Sequence, residues 1–186
     1  MAEYVSRAGL KLAHALDTFA LNVTGLTCAD LGSNVGGFVD VLLSRGAAKV
    51  YSIDTGYGVL AWKLRKDPRV IVMERTNAMH AKLPEQVQLV TIDVAWTKQK
   101  HILPAAQKML RHDGICVTLI KPHYEADQKL LKGGVLPTEE LPGVMDRLKP
   151  EIESAGFNLE RVTKSPIKGG KGNTELLGLL RPPKLC

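Results

Sequence analysis

Residues 28–38, Cys-Ala-Asp-Leu-Gly-Ser-Asn-Val-Gly-Gly-Phe, constrain this chain most, because they join an apolar strand to an apolar helix through a glycine loop. Gly32, Gly36 and Gly37 remove Cβ atoms where the backbone is expected to turn tightly and approach a ligand, and Phe38 opens a helical run of Phe38, Val41, Leu42 and Leu43. In open α/β sheets a ligand lies in this crevice, beyond the carboxyl ends of the strands. The spacing departs from the Gly-x-Gly-x-x-Gly that seats a pyrophosphate on a helix N-terminus. Asp30 stands at the loop entry, Ser33 lies inside it, and no basic residue is present, so a cationic ligand suits the loop better. Asp54 closes the next strand about twenty residues on, where a carboxylate can accept two hydrogen bonds from ribose hydroxyls. An adenosine bearing a cation, S-adenosylmethionine, satisfies both positions. A purely structural glycine turn is the alternative for the loop alone, and the second acidic strand end argues against it.

A length of 186 residues suits one domain with a full core, expected over 1–186 with residues 1–24 as a helical segment packed on it. Hydrophobic residues make up 45% and charged residues 24%, a globular balance, and no apolar run reaches the length of a membrane span. The N-terminus lacks the apolar stretch of a secretion signal, so a cytoplasmic location is expected, with no membrane partner. Three widely spaced cysteines form no disulfide framework, and Cys28 and Cys116 fall in apolar strands where a thiol packs like a hydrophobe. The net charge of +6 is compatible with a polyanionic partner and with simple solubility.

Taken in order, the pattern predicts a helix over 6–19 with Ser6 as its N-cap and Lys11 beside the apolar positions. Strands follow at 27–31, 49–54, 70–74, 89–92 and 115–120, separated by helices, of which that over 102–111 carries Pro104 in its first turn. After the third strand, Arg75-Thr76-Asn77 falls at another strand's carboxyl end, where a polar side chain could read an adenine edge, with a plain turn as the alternative. Residues 129–142, with Lys132-Gly-Gly and two prolines, read as a mobile segment over the sheet's carboxyl edge. A helix over 145–155 and strands at 158–163 and 175–180 complete the chain, the last strand pairing antiparallel with the one before. This describes a Rossmann-like, mostly parallel seven-stranded sheet with a reversed edge strand and helices on both faces.

Functional residues are expected at strand ends. Asp93 and Lys121 end neighbouring strands beside the glycine loop, Glu175 begins the final strand at the same edge, and Lys11 closes the group from the helix side. Clustered ammonium groups disfavour one another's charge. A lysine must fall from ~10.4 to near neutrality to act as a base, a cost of about 4 kcal/mol borne by its surroundings. Two unrelated surface salt bridges are the competing reading of the same four residues.

Several runs together resemble the TlyA (haemolysin A-like) family of ribosomal RNA 2′-O-methyltransferases, a branch of the FtsJ-like methyltransferases. They are Tyr4-Val-Ser-Arg-Ala-Gly-Leu-Lys11-Leu, Asp30-Leu-Gly-Ser-Asn-Val-Gly-Gly-Phe38, Asp54-Thr-Gly-Tyr-Gly, Glu74-Arg-Thr-Asn77, Thr91-Ile-Asp93, Lys121-Pro122 with Glu125, Lys132-Gly-Gly-Val and Gly172-Asn-Thr-Glu175. The resemblance places the family's Lys-Asp-Lys-Glu tetrad on Lys11, Asp93, Lys121 and Glu175, with Lys121 as the base. It implies methyl transfer from S-adenosylmethionine to a ribose 2′-hydroxyl in rRNA or a ribosomal subunit. Asp30, Gly32, Ser33, Gly36, Gly37, Phe38, Asp54, Thr76, Asn77 and Asp93 would hold the cofactor. Lys132, Lys168 and Lys171 would meet the RNA, and no metal is implied. Members usually carry an N-terminal S4-type RNA-binding domain, whereas this sequence begins just before the methyltransferase helix, so RNA binding by this domain alone is expected to be weak. The sequence also departs from the family at Val35, at His123-Tyr124 and at Ala95-Trp96-Thr97-Lys98 beside Asp93. A catalytically silent RNA-binding or assembly protein is the alternative function, and the intact tetrad argues against it. A nicotinamide-dependent oxidoreductase is disfavoured by the glycine spacing.

Overall fold

Alternation along the strands divides the core in two, because successive side chains leave a strand on opposite faces. Cys28, Val50, Leu89, Val117, Leu119, Leu177 and Leu179 join one apolar cluster, and Ala29, Leu31, Tyr51, Ile53, Val90, Ile92, Cys116, Ile120 and Leu180 join the other. The computed structural model describes residues 4–183. It contains strands β1 (Thr27–Leu31), β2 (Lys49–Ile53), β3 (Val70–Met73), β4 (Val87–Ile92), β5 (Leu110–Ile120), β6 (Asn158–Lys164) and β7 (Leu176–Arg181). Helices are α1 (Ala8–Phe19), α2 (Gly37–Ser44), α3 (Trp62–Arg65), α4 (Gln99–Met109), α5 (Pro122–Glu125) and α6 (Leu141–Ser154). Leu12, Leu16 and Phe19 of α1 cover the first cluster together with Phe38, Val41 and Leu42 of α2, whereas Ile102 and Leu103 of α4 and Leu148 and Ile152 of α6 cover the second.

The sheet order is β3-β2-β1-β4-β5-β7-β6, so the strand order reverses between β1 and β4, and the glycine loop leaves β1 at that switch point. Strands β1 to β5 pair in parallel, and β7 pairs antiparallel with both β5 and β6. The reversed strand is therefore not the edge expected from sequence: β7 enters between β5 and β6. Its Leu-Leu-Gly-Leu-Leu run is almost wholly buried, while Asn-Leu-Glu-Arg-Val-Thr-Lys of β6 is largely exposed, so the polar strand takes the edge.

Three local expectations change. Ser6 does not cap α1: its carbonyl accepts from Gly9 N (3.1 Å), Arg7 occupies the cap position, and Ser6 Oγ fills the space a Gly37 Cβ would need. Pro104 lies inside α4 and not in its first turn, because the helix starts early at Gln99, whose buried amide bonds Thr118 Oγ1 (2.8 Å) and Leu119 O (3.3 Å). Helix α6 starts at Leu141 with Pro142 in its first turn, where a missing N–H is harmless, so the loop before it is shorter than expected.

Candidate active site

The glycine loop is built differently from the expectation that its missing Cβ atoms make room for a ligand. Gly32 (φ 85°) and Gly36 (φ 100°) adopt left-handed backbone open mainly to glycine. A Cβ at Gly32 would lie 2.5 Å from Asp93 O, one at Gly36 would strike Leu64 and Leu60, and one at Gly37 would strike Ser6 and the backbone of Gly9. Protein atoms fill all three gaps. The glycines let the end of β4, the α3 segment and the start of α1 converge on one loop, whose backbone still borders the clefts beside it.

Asp30 is 1% exposed. Thr91 Oγ1 donates to its Oδ1 (2.6 Å), while its Oδ2 is buried with no partner. Burial pushes this carboxyl up to about 7, against the Thr91 hydrogen bond and with help from the nearby charges of Asp93 and Asp54. Such a site gains from a cation. Ser52 Oγ donates to Ser33 Oγ (2.8 Å) beneath the loop. Asp54 accepts from Gly56 N at Oδ1 (2.7 Å) and from Asn34 N at Oδ2 (2.8 Å), tying the loops after β1 and β2 together and leaving one lone pair on each oxygen. Asp54, Thr76, Asn77, Asp93 and Gly32 line a cleft of about 540 Å³. Within it, Thr76 Oγ1 donates to Glu74 O (2.9 Å) and Asn77 Oδ1 accepts from Met79 N (3.0 Å), so both residues shape their own turns.

The four chemical residues of the sequence reading converge. Lys11 comes from α1, Asp93 follows β4, Lys121 follows β5, and Glu175 precedes β7, whose reversed direction brings its start to the carboxyl edge of β5. They form two ion pairs: Lys11 Nζ to Glu175 Oε2 at 2.6 Å and Lys121 Nζ to Asp93 Oδ1 at 2.7 Å. Lys121 Nζ also donates to Val94 O (2.8 Å). Lys11, Asp30, Asp93, Lys121, Phe38 and the glycine loop enclose a second cleft of about 280 Å³, and Asp93 and Gly32 border both clefts. A cationic ligand against Asp30 and a proton donor beside Lys121 would therefore share one cleft, which Asp93 and Gly32 connect to the other.

A third pocket, of about 710 Å³, shares Trp96 with the 540 Å³ cleft and includes His123, Tyr124, Lys171 and Asn173. Asn173 joins the two glycine-lysine loops, accepting from Leu136 N (3.0 Å) and donating to Gly134 O and Gly170 O (3.0 Å each). Lys132, Lys168 and Lys171 are all exposed, but only Lys171 borders this pocket. Lys168 Nζ donates to Thr174 Oγ1 (2.9 Å), and Lys132 pairs its backbone with Val135. The sequence marks the run holding Trp96 as one that could alter a substrate pocket beside Asp93, but assigns no site role to His123 or Asn173. Asn173 had a usable signal in its place beside Glu175, whereas the ring of His123 carried none. Cys28 and Cys116 are buried; burial, with Asp30 nearby, pushes the Cys28 thiol up to about 12, and burial alone pushes Cys116 up, so neither suits nucleophilic chemistry. Among the described residues no helix is long and apolar enough to cross a membrane.

Known proteins share this architecture. The 16S/23S rRNA (cytidine-2′-O)-methyltransferase TlyA of Mycobacterium tuberculosis is 40% identical over 184 residues, 96% of this chain and 68% of its own length. Hemolysin A of Brachyspira hyodysenteriae is 39% identical, covering 94% of this chain and 75% of that protein. A solved hemolysin-type structure from Streptococcus thermophilus superposes with a TM-score of 0.94 at 36% identity, over 99% of this chain and 69% of that one. The chain thus spans between 64% and 75% of the length of these and other curated relatives. The sequence model of the FtsJ-like methyltransferases matches residues 4–181, nearly everything the structure describes, and the chain belongs to that family.

Proposed function

We propose that this chain transfers a methyl group from S-adenosylmethionine to a ribose 2′-hydroxyl of ribosomal RNA. The observation that carries this reading is the Lys121–Asp93 pair at the junction of two clefts, one of them lined by a buried carboxyl with one unpartnered oxygen. The residues fit the cofactor: Asp30 Oδ2 is a buried, unpartnered carboxyl oxygen whose ionised form a cation would favour, and Asp54 keeps lone pairs for a ribose diol. S-adenosylmethionine, when bound, supplies an electrophilic methyl on a sulfonium. Asp93 holds the Lys121 amine at the cleft, and the free-base form of Lys121 takes the 2′-hydroxyl proton as that oxygen attacks. The Lys11–Glu175 pair fixes the opposite wall. Catalysis by such a site is mostly positioning with electrostatic help. The name of the Mycobacterium tuberculosis relative, a cytidine-2′-O-methyltransferase, supports the same chemistry. Lys132, Lys168 and Lys171 supply phosphate contacts on the acceptor side, and the protein works in the cytoplasm, where ribosomal RNA is found.

Labelled S-adenosylmethionine incubated with 30S subunits, 50S subunits and free rRNA, followed by mapping of the modified nucleotide, tests this directly. Label on a 2′-oxygen is expected. Label on a base, or no transfer to any of these RNAs, overturns it.

A further inference from the structure

We propose that His123 seats the acceptor nucleoside, its imidazole hydrogen-bonding the ribose or base that enters the pocket of about 710 Å³ walled by Trp96, His123 and Tyr124. This rests on the 2′-O-methyl transfer reading and adds to it a residue that recognises the acceptor.

The pocket has the size and mixed lining of a small-ligand site, with the rings of Trp96, His123 and Tyr124 in its wall and Lys98 and Lys171 supplying positive charge. It shares Trp96 with the 540 Å³ cleft, so a group seated in it borders the cofactor side as well. Two polar side chains of the wall are buried, Asn173 and His123. The Asn173 amide is taken up by Leu136 N, Gly134 O and Gly170 O, so it has little capacity left for a ligand. His123 differs. It is 9% exposed and its Nδ1 is buried without a hydrogen-bond partner. Buried polar atoms in folded proteins are almost always paired, so an orphan nitrogen on a residue that lines a pocket calls for an explanation, and a ligand entering the pocket would supply one.

The surroundings of the ring also set its charge. Burial lowers the imidazole below its ordinary range, Lys121 at the end of β5 lowers it further, and Glu175 before β7 opposes both. Tyr124 packs on the ring at 4.1 Å between centroids, and Lys98 and Lys171 complete the charged groups around the pocket. A neutral imidazole presents one donor and one acceptor, which matches the hydroxyls of a ribose or the mixed edge of a base and adds no second cation beside Lys121.

The test is histidine-labelled NMR on the full chain loaded with S-adenosylhomocysteine, with His123→Gln used to assign the resonance. Titration with CMP, UMP, AMP and GMP is expected to move the His123 signal saturably, while inorganic phosphate alone leaves it in place. A signal that stays still at millimolar levels of all four nucleotides, or that phosphate moves equally, overturns the proposal. In methylation assays His123→Ala should raise KM for RNA about tenfold with cofactor affinity within twofold, and His123→Gln should recover most of that loss. A fall in cofactor affinity that tracks a fall in Tm would mean a merely structural ring and sink the idea. If no rRNA is methylated but nucleotides still shift His123, the nucleoside contact stands and the rRNA reading falls. If rRNA is methylated and the signal is inert, His123 alone is wrong.

Discussion

The two lysine–carboxylate pairs have nearly equal lengths, 2.6 Å for Lys11–Glu175 and 2.7 Å for Lys121–Asp93, yet they sit in different places. Both lysines line the smaller cleft, but Glu175 is 3% exposed and lines neither cleft beside the tetrad, whereas Asp93 lines both. A dry ion pair with one partner removed leaves a charge that nothing solvates, so the first pair acts as a fastener between α1 and β7. The carboxylate of the second pair opens on both clefts, so a molecule entering either one meets that pair. Equal distances therefore do not mean equal roles; access decides.

The comparison is broken most forcefully by unpairing the buried side. Lys11→Ala should cost about 3–5 kcal/mol of stability, seen as a drop in Tm on the order of 10 °C. Lys11→Met combined with Glu175→Leu should restore most of it, since an apolar pair needs no solvation. If Lys11→Ala proves no more destabilising than Lys121→Ala, the distinction between fastener and reactive pair disappears.

The open side should respond in rate. Lys121→Ala is expected to lose roughly 10²-fold or more in methyl transfer with cofactor affinity within a few fold, the range for a missing acid or base. Lys121→Arg should not rescue, because a guanidinium stays protonated. Near-normal single-turnover rates in either variant would remove Lys121 from the chemistry.

Asp30 sharpens the contrast through pH. Its carboxyl is held at about 7 in the folded chain, above its ordinary value of 3.8, so the folded state binds the proton more tightly than the unfolded one. That contribution is complete below about pH 4 and is lost as the pH rises toward 7, where the buried charge must form. Asp30→Asn should therefore melt higher than wild type at pH 8, by on the order of 5 °C, with the gap closing toward pH 4. A pH-independent gap would show that Asp30 is solvated in the folded protein. The mildest effect belongs to Asp54→Ala, expected to weaken S-adenosylmethionine binding by about tenfold, the equivalent of ~1.4 kcal/mol. Unchanged affinity by calorimetry would move the ribose elsewhere.

What the sequence determined alone was local or periodic. Alternation of apolar residues marked the strands, the glycine run marked the turn after β1, and Asp30, Asp54, Asp93 and Lys121 could be placed at strand ends because a chain emerging from a parallel sheet must show those residues at one edge. It also named all four members of the tetrad. The tertiary structure alone decided who pairs with whom: Lys11 meets a carboxylate 164 positions away, a choice that depends on β7 entering beside β5 and not at the edge. It also decided that protein atoms fill the gaps at Gly32, Gly36 and Gly37, and that Nδ1 of His123 is left without a partner while the Asn173 amide makes three bonds. Those outcomes depend on three-dimensional proximity and on which lone pairs remain free after folding. A linear pattern carries neither, because hydrogen-bond capacity is consumed only when distant segments meet.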